Sequence, residues 1–126
     1  MQNIMKIQLL DLINYQILQG GFDPKSVFIN QLPHKKTFCI GIFEDEFKEG
    51  QPFCFDTTVK IIIRGDVTFC TFTGMEIMEI LKNIQGEKLG LSRVITVDFK
   101  KSNCFYDVNN WFAKAFYFNI ITSKEV

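Results

Sequence analysis

The chain is 126 residues long, the size of one domain, and its 14 Lys+Arg are balanced by 14 Asp+Glu to a formal net charge of zero. That balance excludes the basic surplus on which sequence-specific nucleic-acid binding and a polybasic membrane contact depend. A 47% hydrophobic content with only three prolines excludes a disordered chain, and Phe is the outlier at 14 residues.

In chain order, residues 3–19 are expected to form a helix. Met5, Leu9, Leu12, Ile13 and Ile17 recur at helical spacing, and Gly20-Gly21 supplies a left-handed stop. Lys6, Gln8, Asp11 and Asn14 interrupt the apolar residues, so this stretch lacks a signal-peptide layout. No segment reaches the roughly 20 apolar residues that span a bilayer, and a soluble protein made in a cytoplasm is expected. Phe22-Asp23-Pro24-Lys25 is a turn.

Strands are expected over 26–31 and 37–43, the second with Phe38, Ile40 and Ile42 on one face. Residues 44–56 break the pattern with Glu44, Asp45, Glu46, Lys48, Glu49, Gly50 and Pro52, as the polar tip of a long hairpin would. Residues 57–64 return as a strand, Val59, Ile61 and Ile63 facing one way and Lys60, Ile62 and Arg64 the other, closed by Gly65-Asp66.

Thr73-Gly74-Met75-Glu76 has the form of a capping box, with Phe72 and Ile77 placed for a staple. Ile77, Ile80, Leu81 and Ile84 then give one buried face, and Gly86 a natural end. On this reading Thr73→Ala costs about 1 kcal/mol. Residues 92–99 alternate as a strand, 100–103 (Lys-Lys-Ser-Asn) form a turn, and 110–122 form a last long strand. The tail from Ser123 to Val126 is expected to fray. The order α-β-β-β-α-β-β gives an α+β fold: a mostly antiparallel sheet, its middle three strands and final pair joined by hairpins, with two helices packed on one face, in a single domain over residues 1–126.

Catalytic chemistry has little to build on. His34 follows Leu32-Pro33 among lysines, with no Gly-x-Ser-x-Gly elbow to serve it, and is expected as a solvated loop histidine. Cys39, Cys54, Cys70 and Cys104 lack the short pairing of a zinc site and are expected as reduced, small apolar fillers. The carboxylates at 44–49 fit neither a hydrolase pair nor an EF-hand loop, and suit a protein contact or plain solvated surface. No glycine lies in a phosphate-binding context. Neither an enzyme nor a cofactor or metal site is expected.

An oligomer is expected instead. The strand over 110–122 carries Trp111 and Tyr117 on one face and Phe112, Phe116, Phe118 and Ile120 on the other. If helices cover one face only, the second needs a partner.

These residues together resemble the tail-terminator, or minor capsid, proteins of long-tailed phages and prophages. The likeness begins with the N-terminal helix and the strand Val27-Phe28-Ile29-Asn30-Gln31-Leu32-Pro33 and continues through a variable acidic loop. It then takes in Val59-Lys60-Ile61-Ile62-Ile63-Arg64-Gly65, the amphipathic helix over 77–86, and the aromatic final strand from Trp111 to Asn119-Ile120. It departs in the turn Cys104-Phe105-Tyr106-Asp107-Val108-Asn109-Asn110, where the family is often glycine-rich, and in the longer apolar approach over 67–72.

The resemblance implies a structural virion protein, assembled in a bacterial cytoplasm. It implies a ring, typically a hexamer, that caps the head-proximal end of a tail, ends tube growth and meets the tail tube protein and the head connector. A neck or head-completion protein and a small immunity or regulatory module are the alternatives. Expected interface residues are Glu44, Asp45, Glu46, Glu49, Trp111 and Tyr117, with Arg64 and Asp66 as an inter-subunit ion pair.

Overall fold

The structure is a computed structural model that describes residues 2–34, 37–49 and 53–123, giving backbone only for residues 2–8, 48 and 49. The first helix, α1 (Gln2–Gln19), buries Leu9, Leu10, Ile13 and Ile17, with Leu12 at the margin. It ends as its glycines require. The Gly20 amide donates to the carbonyls of Gln16 and Ile17 at 3.1 Å each, and Gly21 turns the chain at φ 100. A single 3-10 turn (Pro24–Ser26) follows, held by the Asp23 carboxylate accepting from the Lys25 amide at 3.0 Å.

Strand β1 (Val27–Ile29) lies parallel to β2 (Cys39–Glu49), not antiparallel as a hairpin would place it. The expected tight return fails because Asn30 takes a left-handed φ of 59 and the chain crosses the open face of the sheet before β2 begins. Gly41 admits this crossing: a Cβ there would lie 3.0 Å from the Gln31 carbonyl and 3.0 Å from Leu32 Cδ1. Phe38 stands outside β2 and is exposed.

β2 and β3 (Cys54–Arg64) form a hairpin much longer than its hydrophobic pattern implies. The polar excursion expected over 44–56 is mostly strand. Glu46 pairs with Thr58, Lys48 with Asp56 and Glu49 with Phe55, while Gly50, Gln51 and Pro52 lie outside the described residues. A bulge between Glu44 and Glu46 resets the alternation, so Phe47 turns inward against Phe55 with ring centroids 5.3 Å apart. Cross-strand pairing and that aromatic contact carry the strand through residues whose polarity alone reads as loop.

Helix α2 (Val67–Lys82) begins earlier than the capping box indicates. Its N-cap is Asp66, whose carboxylate accepts from the Phe69 amide at 2.7 Å. Thr73 is an interior residue, 5% exposed, and Phe72, assigned to a staple, is 61% exposed. The apolar run over 67–72 is the helix's own first turns. Cys70, Thr73, Gly74, Ile77 and Leu81 form the buried stripe. The cap energy therefore moves from Thr73 to Asp66. Asp66→Ala should cost about 1 kcal/mol in chemical denaturation, whereas Thr73→Ala should lack any cap contribution. Equal losses through a lost cap at Thr73 would contradict this assignment.

After α2, β4 (Lys88–Leu89) is a short strand not foreseen in the sequence, followed by β5 (Ser92–Tyr106) and β6 (Phe112–Ser123). The turn expected at 100–103 is inside β5, where Lys101 pairs with Tyr117 and Asn103 with Ala115. The true turn is built by Asp107. Its carboxylate accepts from the amides of Asn109 and Trp111, and Asn110 reverses the chain at φ 63. Bulges between Val94 and Thr96 and between Phe99 and Lys101 break the alternation expected over 92–99. Ile95 therefore lies exposed, while Val94 and Val97 both join the core.

The sheet order is β1-β2-β3-β6-β5-β4, mostly antiparallel, with both helices on one face. Beneath them Ile40, Ile42, Val59, Ile61, Ile63, Phe116, Phe118 and Ile120 meet Leu9, Ile13, Ile17, Ile77 and Leu81 in one continuous core.

Candidate functional site

Strand alternation assigns the face opposite the helices. One end of it is closed by the chain itself. Arg64, 3% exposed, points into that end and pairs with Asp107, Nε to Oδ2 at 2.7 Å, while its Nη1 donates to the Pro33 carbonyl. The Asn109 side-chain amide donates to the His34 carbonyl at 3.2 Å and lies 3.4 Å from the His34 ring. The β1–β2 crossing and the β5–β6 turn are thus clasped together over Cys39, Ala113 and Ala115, all buried.

The remainder of this face is open. One row of register partners runs Phe43, Lys60, Tyr117, Lys101 across four strands. Lys60 Nζ lies 5.7 Å from the Phe43 ring centroid, and Lys101 Nζ lies 5.0 Å from that of Tyr117. Aromatic faces and lysines alternate along this row, each cation resting on a ring. Asp45 lies at the β2 bulge, 3.8 Å from Lys60 Nζ.

The expected interface residues scatter over this frame. Asp45 and Glu46 are exposed on β2, Glu44 is half-buried opposite Val59, and Glu49 ends the strand opposite Phe55. Tyr117 lies in the open row, and Trp111 is half-buried behind the Asp107 turn. Arg64 and Asp66, expected as an inter-subunit ion pair, each have a role within the chain. Arg64 is engaged internally by Asp107, and Asp66 caps α2. The reason is geometric: strand alternation sends Arg64 under the crossing loop, and the chain has already turned into a helix two residues later.

Two features escaped the sequence reading. Asp107 lies far from Arg64 in sequence, and its only local signal is the turn-forming string Asp107-Val108-Asn109-Asn110. The far half of β5, residues 98–106, is exposed on both faces and includes Phe99, Phe105 and Tyr106. It carries no alternating apolar pattern because neither face is covered.

The thiols divide the same way. Cys39 and Cys70 are buried, Cys54 is half-buried, and Cys104 is exposed on the far half of β5, so the filler role expected of all four fails for Cys104. Burial first, then the Asp66 carboxylate, pushes the Cys70 thiol up to about 11; it donates to the Ile63 carbonyl at 3.2 Å. Cys104 should therefore react with a disulfide reagent at pH 8 at least ~100-fold faster than Cys70, read by mass spectrometry of the native protein. Comparable rates would show that Cys70 is not sealed beneath α2.

The charged groups at the closed end serve the fold, and the open row with the exposed half of β5 presents surface suited to contact. No protein-family model matches the chain, and no curated protein matches it. In fold it is similar to a chain of the virion of a native gene transfer agent (GTA) particle, with a TM-score of 0.60 at 11% identity, covering 87% of this chain and 91% of that one. At such identity the likeness is one of fold alone.

Proposed function

We propose that the protein is a structural, non-enzymatic component of a phage-like virion. In this reading it forms a ring, a hexamer, at the head-proximal end of the tail, where it ends tube growth and joins the tube to the head connector. The observation that carries the reading is the shared fold with a virion chain over nearly the full length of both. The open aromatic–lysine row and the exposed half of β5 are the kind of surface an assembling subunit keeps until its neighbours arrive. Neutral net charge suits partners that are proteins rather than DNA.

The test is assembly itself. Light scattering over a concentration series, with negative-stain images, should show annular particles of several copies. Added tail tubes of the encoding phage or prophage should carry one ring at one end and stop elongating. Binding to head connectors without effect on tube length would favour the neck-protein alternative. A monomer at every concentration that leaves tubes bare and growing would sink the ring reading and favour a small binding module.

A further inference from the structure

We propose that the outer edge of β5 over residues 98–106 takes the β2 edge of a second copy of this chain, so that the sheet runs on from subunit to subunit. This rests on the ring-forming role above and names the contact that would build it.

The backbone of β5 makes the first argument. β6 pairs with it along its length, but on the other side β4 reaches only Ser92 and Arg93. The turn at Gly86 and Glu87 then serves Val94, and the Gln85 side chain serves the Val97 amide. Beyond that, among the described residues, no strand or turn pairs with the outward backbone groups of 98–106. Unpaired ladder groups of this length are a template for another strand.

Side chains make the second. Isolated edges are usually blunted by charge and bulges, and Lys100 and Lys101 at the β5 bulge do that here. Yet Phe99 adjoins them, and Phe105 and Tyr106, the last 69% exposed, lie further along the same strand. Lysines on an edge disfavour a basic strand and favour an acidic one.

The chain itself carries such an edge. On the opposite side of the sheet β1 pairs with β2 only as far as Ile42 among the described residues, and the stretch that follows exposes Asp45 and Glu46, Asp45 also lying 3.8 Å from Lys60 Nζ. The β5 edge holds Lys100 and Lys101 against Asp98. The two edges are complementary in charge, which steers and registers an encounter. Direction agrees as well. β2 and β5 are antiparallel within the sheet, so a second copy in the same orientation lays its β2 antiparallel to β5. Joining two different edges is a heterologous contact, which closes into a ring when each copy is rotated on the last.

The test exchanges charges on exposed positions. Lys100→Glu/Lys101→Glu and Asp45→Lys/Glu46→Lys are compared with the parent chain, and with a chain carrying all four changes, by sedimentation velocity over a concentration series and by counting rings on tail tubes. Each double variant should need at least about tenfold more protein to assemble, and the four-change chain should recover. Unaltered assembly in the double variants would overturn the edge contact and leave the ring role standing. So would loss without recovery in the four-change chain, because some other surface or protein then meets these residues. A parent chain that forms no ring in solution or on tubes overturns both.

Discussion

Asp107→Ala should lower the unfolding free energy by about 3–5 kcal/mol, the range expected when one partner of a buried ion pair is removed. The pair is well shielded, with side-chain exposures of 4% for Arg64 and 12% for Asp107. The carboxylate also accepts from the Asn109 and Trp111 amides at 3.0 Å, so truncation releases the β5–β6 turn together with the guanidinium. The change strips Arg64, whose side chain is 4% exposed, of that carboxylate. Asp107→Asn separates the two roles. It keeps an acceptor oxygen for the turn amides but turns an N–H2 donor toward Arg64 Nε, so its loss measures the whole contact with the guanidinium, charge and hydrogen bond together, apart from the turn. Urea denaturation of both variants beside Asp66→Ala gives the scale. If Asp107→Ala costs no more than the cap variant, the closed end of the sheet does not depend on this pair.

The helices and central strands were legible because burial imposes a period on them. Leu9, Ile13 and Ile17 on α1, and Val59, Ile61 and Ile63 on β3, all face the same core. Where burial is absent the pattern is absent too. Lys100, Lys101, Ser102 and Asn103 read as a turn because their strand is bare on both faces, and only pairing with β6 keeps them extended. Residues 44–49 read as a loop for a related reason: the bulge at Asp45 shifts the period just where the acidic residues begin.

The start of α2 presented two competing signals, Asp66 and Thr73. Local chemistry favoured the capping box. Tertiary packing favours the earlier start, since Cys70 and Thr73 belong to the same buried stripe as Ile77 and Leu81. The Arg64–Asp107 pair had no sequence signature, because it depends on a strand end and a distant turn meeting under a crossing loop. The residues that close one end of this face were thus hidden, whereas the two-sided apolar pattern of β6 was visible.

Gly74 carries the other large effect. It sits inside α2, where glycine costs about 1 kcal/mol relative to alanine on propensity alone. Gly74→Ala should nevertheless destabilise the protein, by about 1–3 kcal/mol. A Cβ at this position would lie 2.8 Å from Phe116 Cε2 and 3.0 Å from Cε1, and closer still to the end of the ring. Phe116 has little room to retreat: it is buried, and the Phe99 ring stands 6.3 Å away on the neighbouring strand. The helix would have to lift from β6, loosening Ile77 and Leu81 above the core, and a β-branched residue would worsen both clash and propensity. Gly74→Val should therefore cost about 3 kcal/mol or more. The decisive measurement is a double-mutant cycle with Phe116→Leu. Alone, that substitution leaves a void and destabilises. In the Gly74→Ala background it removes the obstructing ring, so its cost should fall by at least about 1 kcal/mol, a coupling outside the scatter of independent sites. Additive costs would mean that the Phe116 ring is not what obstructs a side chain at Gly74.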